Sequence, residues 1–222
     1  MSWESTSSYY STINQGVKQA LGGFHSAKIA MVSVDFAEIE SLQQQGKWSQ
    51  TGELLAVAAR QVEAAGGDFI VLCTNTMHKV ADQIEAAVSI PVLHIADATA
   101  KTLKTDDISK VGLLGTKFTM EQDFYKGRLQ NQHGIEVIVP NEVDQQLVHD
   151  VIYNELVQGV INDQSRIRYV EIISKLSEQG AQGVILGCTE NALLISQDDT
   201  SVKLFDTTDI HSRSALEKAL AD

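Results

Sequence analysis

The sequence predicts an α/β protein built on parallel sheets, and three observations carry that prediction. Short strands and helices alternate along the chain. The strands are continuously apolar instead of alternating, as in sheets covered by helices on both faces. Two strand ends also look alike: F-I-V-L-C-T-N-T-M-H at 69–78 and V-I-L-G-C-T-E at 184–190. Ligands collect at the carboxyl ends of such strands, so both are candidate sites.

Taken in order, residues 3–21 read as a helix stopped by Gly22-Gly23. Lys28–Val34 (K-I-A-M-V-S-V) reads as a strand. Asp35, three residues before Glu38, suits the start of a short helix to Gln45. Ser49 is placed to cap the next helix, whose Leu54, Leu55, Ala58 and Val62 share a face. Gly66-Gly67 end it, and Phe69–Cys73 follow as an apolar strand. Thr76–Val88 read as helix, Pro91–Ile95 as a short strand, and a helix starts at Asp97. Val111–Leu114, Ile135–Val139, Val184–Leu186 and Lys203–Phe205 are the remaining strands, most of them separated by helices.

Composition narrows the function. A length of 222 residues suits one large domain or two small ones. The net charge of −12, with no Lys/Arg cluster, argues against a nucleic-acid partner. No apolar run is long enough to span a bilayer, and the polar start M-S-W-E-S-T-S-S-Y-Y does not read as a signal peptide. A cytoplasmic protein with reduced thiols is expected. Its two cysteines, Cys73 and Cys188, cannot form a disulfide framework, so each is either buried filler or chemistry. No Cys/His cluster has metal-ligand spacing, and neither a P-loop nor G-x-G-x-x-G occurs, so no metal or cofactor is expected.

A short internal repeat sets the register of the two strand ends. Gly66–Thr74 lies over Gly180–Cys188, anchored on the helix-stopping glycine that starts each stretch. Cys188 then falls opposite Thr74, and Cys73 opposite Gly187. Strand side chains alternate faces, so this one-residue offset decides which group points where. If the halves are equivalent, Cys188 and Thr74 point into a shared cleft, and Cys73 points into the packed side of its sheet.

T-N-T-M-H (74–78), G-C-T-E (187–190), M-S-W-E-S-T (1–6) and F-D-T-T-D-I-H (205–211) together resemble the aspartate/glutamate racemases, which work without pyridoxal phosphate. The resemblance runs along the whole chain. It implies two similar parallel-sheet α/β domains in a pseudo-twofold relation, with the active site in the cleft between them. The first domain would comprise residues 1–96 plus 206–222, and the second residues 97–205. The resemblance also implies a homodimer. Family members carry Cys-Asn-Thr at the first site, where this chain has Thr74-Asn75-Thr76. They also carry a strand ending Gly-Gly ahead of the Met-Ser-Trp-Glu segment, which here starts at Met1, so that first strand is not among these residues.

The implied reaction is racemisation of an amino acid, aspartate or glutamate first. The α-proton leaves one face and another is returned to the opposite face, which suits two acid/base groups. Cys188 and Thr74 are the candidate catalytic pair. A strand end running into Thr189 and Glu190 offers backbone N–H groups that favour a thiolate, although a small buried cysteine is the ordinary alternative. An alcohol is a far weaker acid than a thiol, so Thr74 would relay a proton through water or orient substrate.

Met1, Ser2, Asn75, Thr76, Thr189 and Glu190 are candidate substrate contacts, with helix capping the alternative for the hydroxyl and amide groups. His78, Asp206, Thr207 and His211 are expected to support the site from behind. Aspartate racemases of the family hold the side-chain carboxylate with an arginine and a lysine. The matching stretches here, 36–42 and 159–166, offer only Arg166, with Lys47 a substitute. A relative acting on another acid, of the hydantoin racemase or maleate isomerase type, stays open. So does a degenerate member that binds an amino acid without turning it over.

Overall fold

The computed structural model describes residues 2–221. The chain forms two compact units, one of Met1–His94 with Ser212–Asp222 and one of Ile95–His211.

In the first unit, α1 (Trp3–Leu21), α2 (Phe36–Gln44) and α3 (Trp48–Ala64) precede β1 (Ile70–Val71). A 3₁₀ turn at Thr76–Val80 leads into α4 (Ala81–Glu85) and then β2 (Val92–Leu93). Strands β1 and β2 are parallel, with Ile70 opposite Val92. Ile39, Leu55, Ile70, Met77 and Ile84 form the centre of this unit's apolar core. The Asp35 carboxylate caps α2 as expected, accepting from Ala37 N–H, and the Ser2 side chain caps α1 by accepting from Ser5 N–H.

Four expectations for this unit are corrected. Lys28–Val34 is not a strand. Exposure alternates along it, leaving Ile29 and Met31 exposed. Its period-two pattern thus shows in burial, but no strand among the described residues pairs with it, and a strand exists only through ladder partners. Ser49 lies inside α3, which starts after Lys47 with no side-chain cap. The strand expected over 69–73 shrinks to two residues. Thr74 N–H turns back onto the Leu72 carbonyl (2.8 Å), and the Ser5 hydroxyl donates to the Cys73 carbonyl (2.7 Å). Both carbonyls are therefore satisfied away from a ladder. The helix expected over 76–88 divides into the 3₁₀ turn and the short α4.

The second unit contains α5 (Ile95–Thr105), β3 (Lys110–Gly115), α6 (Lys117–Glu121), α7 (Asp123–His133), β4 (Glu136–Ile138) and α8 (Glu142–Asn154). It continues through α9 (Asp163–Glu178), β5 (Val184–Gly187), α10 (Asn191–Leu194), β6 (Leu204–Asp206) and the start of α11 (Thr207–Leu220). Its sheet is wholly parallel, in the order β4-β3-β5-β6. All four residues of β5 are buried, as expected of a central parallel strand covered on both faces. The core runs through Leu103, Leu113, Met120, Ile173 and Ile185.

Several polar ties hold the helices of this unit. The Asp97 carboxylate on α5 receives both Arg128 nitrogens at 2.7 Å, and His133 Nε2 lies 2.8 Å away. This bidentate pair fixes α7 against α5 with more geometric definition than a single contact would. The buried Tyr125 hydroxyl donates to Thr99 Oγ1 (3.0 Å), whose own hydroxyl donates to the Ile95 carbonyl.

Candidate functional site: two strand ends

Cys188 sits at the carboxyl end of β5, immediately after Gly187. Gly187 pairs with Gly115 at the end of β3. The pairing is close: a Cβ at Gly187 would lie 2.8 Å from Leu113 Cδ1 and 3.0 Å from the Leu114 carbonyl oxygen. Glycine at these positions lets the two strand ends approach and fixes where Cys188 leaves the sheet.

The thiol is buried, and its hydrogen points at a carboxylate. Cys188 Sγ lies 3.0 Å from Glu190 Oε2, and the Thr189 hydroxyl donates to the same oxygen at 2.6 Å. Glu190 is itself buried. Burial first, and then the Glu190 charge, push the Cys188 thiol well above its ordinary range. The isolated site therefore holds a neutral thiol rather than a thiolate, against the expectation that the helix start favours ionisation. The helix there, α10, has only four residues, and its weak end field is outweighed by desolvation and the adjacent carboxylate.

Two further hydroxyls belong to this end of the sheet, and sequence reading missed both. Thr116 follows Gly115 directly and caps α6 by accepting from Thr119 N–H. Its hydroxyl lies 3.2 Å from that of Thr119, and both residues are buried. The signal was present as G-T-K-F-T (115–119) after an apolar strand.

On the other flank of β5, the Thr207 hydroxyl donates to the Leu186 carbonyl at 2.8 Å. Thr207 thus ties the start of α11 to the backbone of β5. The Asp206 carboxylate accepts from Thr208 N–H and caps α11. Burial raises the Asp206 carboxyl above its usual range despite those bonds. His211 is fully buried one turn further on. Arg166 is engaged elsewhere: its Nε donates to the Leu194 carbonyl and its Nη1 pairs with Asp163.

In the first unit, the chain leaving β1 delivers Cys73 and Thr74, both half-buried. Burial raises the Cys73 thiol, and Cys73 lies outside the apolar core cluster. Asn75, Thr76 and His78 are buried. His78 Nδ1 lies 2.9 Å from the Thr74 carbonyl, and the His78 ring packs on that of His94 at 4.5 Å. Ser2, buried, caps α1. Met1 lies outside the described residues. Lys47, the substitute cation, is exposed.

The first unit thus brings together Thr74, Asn75, Thr76 and His78, and the second brings together Cys188, Thr189, Glu190 and Thr207. A model of the Asp/Glu/Hydantoin racemase family matches residues 1–215. The chain belongs to that family.

Among solved structures, it is similar to one from Yersinia pestis provisionally assigned as an Asp/Glu racemase. That match is 56% identical, covers 99% of this chain and 96% of the other, and has a TM-score of 0.94. An aspartate racemase homologue from Pyrococcus horikoshii OT3 is 34% identical over 99% of this chain and 95% of its own, with a TM-score of 0.85. The curated broad specificity amino-acid racemase RacX of Bacillus subtilis is 27% identical over 73% of this chain and 70% of its own. Family membership makes this chain an isomerase of the racemase type, with an amino acid as the small-molecule substrate. No helix among the described residues is long and apolar enough to cross a membrane.

Proposed function

We propose that the chain is a cofactor-independent racemase of aspartate or glutamate in which Cys188 exchanges the α-proton on one face and the Thr74 segment serves the other. The observation that carries this reading is Cys188 itself. It is a buried thiol at the end of a central parallel strand, held at hydrogen-bond distance from a carboxylate. A buried cysteine that merely filled space would have no reason to keep a buried carboxylate beside it.

Thr74 cannot match a thiol as a base, so the two directions of reaction are unequal. Asn75, Thr76 and Thr189 supply hydroxyl, amide and backbone groups suited to the α-carboxylate and α-ammonium. Thr116 and Thr119 add hydroxyls at the Cys188 end. The family resemblance also supports a homodimer in the cytoplasm.

A wider substrate range is the second reading, favoured by one observation. Residues 36–42 contain no basic side chain, and the Arg166 guanidinium is committed to Leu194 and Asp163. A side-chain carboxylate has no fixed cation waiting in either stretch. The test is chiral chromatography after incubation with each enantiomer of aspartate, glutamate, alanine and lysine. Interconversion of the acidic pair supports the first reading. Comparable rates on all four support the second. Binding without interconversion of any would overturn both.

A further inference from the structure

Cys188 poses a chemical problem that the racemase reading alone does not solve. A base must be able to lose its proton first, yet the surroundings of this thiol oppose ionisation. The carboxylate that opposes it is also placed to take the proton. Glu190 Oε2 is 3.0 Å from Sγ, and the Thr189 hydroxyl donates 2.6 Å to the same oxygen. Thiol, hydroxyl and carboxylate lie on three consecutive residues, so the turn itself fixes their geometry.

We propose that Glu190 is the acceptor of the Cys188 proton, so that thiol and carboxylate act as one general-base unit; this rests on the racemase reading above. The Sγ–H bond breaks as Oε2–H forms. The thiolate then removes the α-proton, which breaks Cα–H, remakes S–H and leaves the electron pair on the α-carbon. The opposite face is protonated from the Thr74 side, and after product release Glu190 loses its proton to solvent. In the reverse direction Glu190 first takes a proton from solvent, Cys188 gives its S–H proton to the carbanion, and Glu190 then passes its proton to sulfur.

Transfer inside the pair moves a charge over one hydrogen bond without creating a new one, so burial opposes it far less than it opposes loss of the proton to water. Glu190 here acts through Cys188 and is a positioning and proton-accepting residue. Tyr169 on α9 also feels the thiol, and burial keeps that phenol neutral.

The sharpest variant is Glu190→Gln, which keeps size and hydrogen bonding but cannot accept the proton as a base. It should be made in a Cys73→Ser background, so that Cys188 is the remaining thiol. Two measurements apply: α-proton exchange in deuterated solvent against pH, and ultraviolet titration of the thiolate. The parent has an internal acceptor, so its exchange rate should stay level through the neutral range. The Glu190→Gln protein must lose its thiol proton to solvent, so its rate should be lower at neutral pH and climb about tenfold per pH unit. Its thiol should titrate at lower pH than the parent's, because the neighbouring negative charge is gone.

A purely structural role for Glu190 would lower the whole profile without changing its shape. Parallel profiles, or an unmoved thiol midpoint, would therefore overturn the proposal. Should neither protein exchange the α-proton of any amino acid, the racemase reading fails, and the thiol midpoint alone decides the coupling.

Discussion

Replacing Gly187 with alanine should damage stability and activity together, for a reason read directly from the β3–β5 pair. The new methyl would meet Leu113 Cδ1 at 2.8 Å and the Leu114 carbonyl oxygen at 3.0 Å. The leucine methyl can rotate away only into a packed core, since Leu113 is fully buried. The carbonyl belongs to a strand and cannot rotate at all. The two strand ends must therefore part by a few tenths of an ångström, and overpacking of this kind costs roughly 1–3 kcal/mol. For a chain of this size that is a fall of about 2–12 °C in melting temperature.

Cys188 is the next residue, so the same displacement moves the thiol relative to its substrate. Proton exchange per folded molecule should fall as well. Gly134→Ala is the matched control. Its left-handed φ of +70° penalises alanine, but nothing lies within 4 Å of the added methyl and the position is remote from Cys188 in sequence and sheet. It should lower stability by about 1–2 kcal/mol and leave exchange per folded molecule intact. The assay is thermal melting by circular dichroism paired with deuterium exchange on the same samples. A Gly187→Ala protein that melts with the wild type and exchanges at the wild-type rate would refute the packing argument.

Three further outcomes are expected. Thr74→Cys should raise the rate on the slower enantiomer, measured by chiral chromatography, because a thiol replaces an alcohol on the weaker face. Tyr125→Phe should cost about 1 kcal/mol in urea denaturation, since one buried hydrogen bond is lost while Thr99 keeps its bond to Ile95. The Asp206 carboxyl is raised in the folded state, so the native protein holds its proton where the unfolded chain has lost it. That contribution declines as pH rises from the unfolded carboxylate range through the folded one. Asp206→Asn should flatten this part of the stability–pH curve, followed by melting at a series of pH values.

The second unit was far more legible in the sequence than the first, and the difference is physical. Strands β3, β5 and β6 come from apolar runs that pair with neighbours inside the same unit, so local pattern and tertiary context agree. Lys28–Val34 has an equally good pattern but no ladder partner among the described residues, and pattern alone cannot make a strand. At 72–73 the ladder gives way to a tight turn and to a hydroxyl from α1, which depends on residues far away in sequence. The cysteine contexts marked both strand ends, whereas the bond from Cys188 to Glu190 was not foreseen. Glu190 was expected to touch substrate, and its carboxylate accepts from the Thr189 hydroxyl at 2.6 Å and the Cys188 thiol at 3.0 Å. Thr116 and Thr119 were missed because hydroxyls after a strand are common, and only the Gly115–Gly187 pairing marks these two.

The central claim is that Cys188, and not Cys73, moves the α-proton. Its most direct test is solvent deuterium incorporation into each enantiomer by the wild type, Cys73→Ser and Cys188→Ala proteins. Exchange should persist in Cys73→Ser and vanish in Cys188→Ala, with both variants folded. Loss of exchange in a folded Cys73→Ser protein, or its survival in Cys188→Ala, would contradict the account.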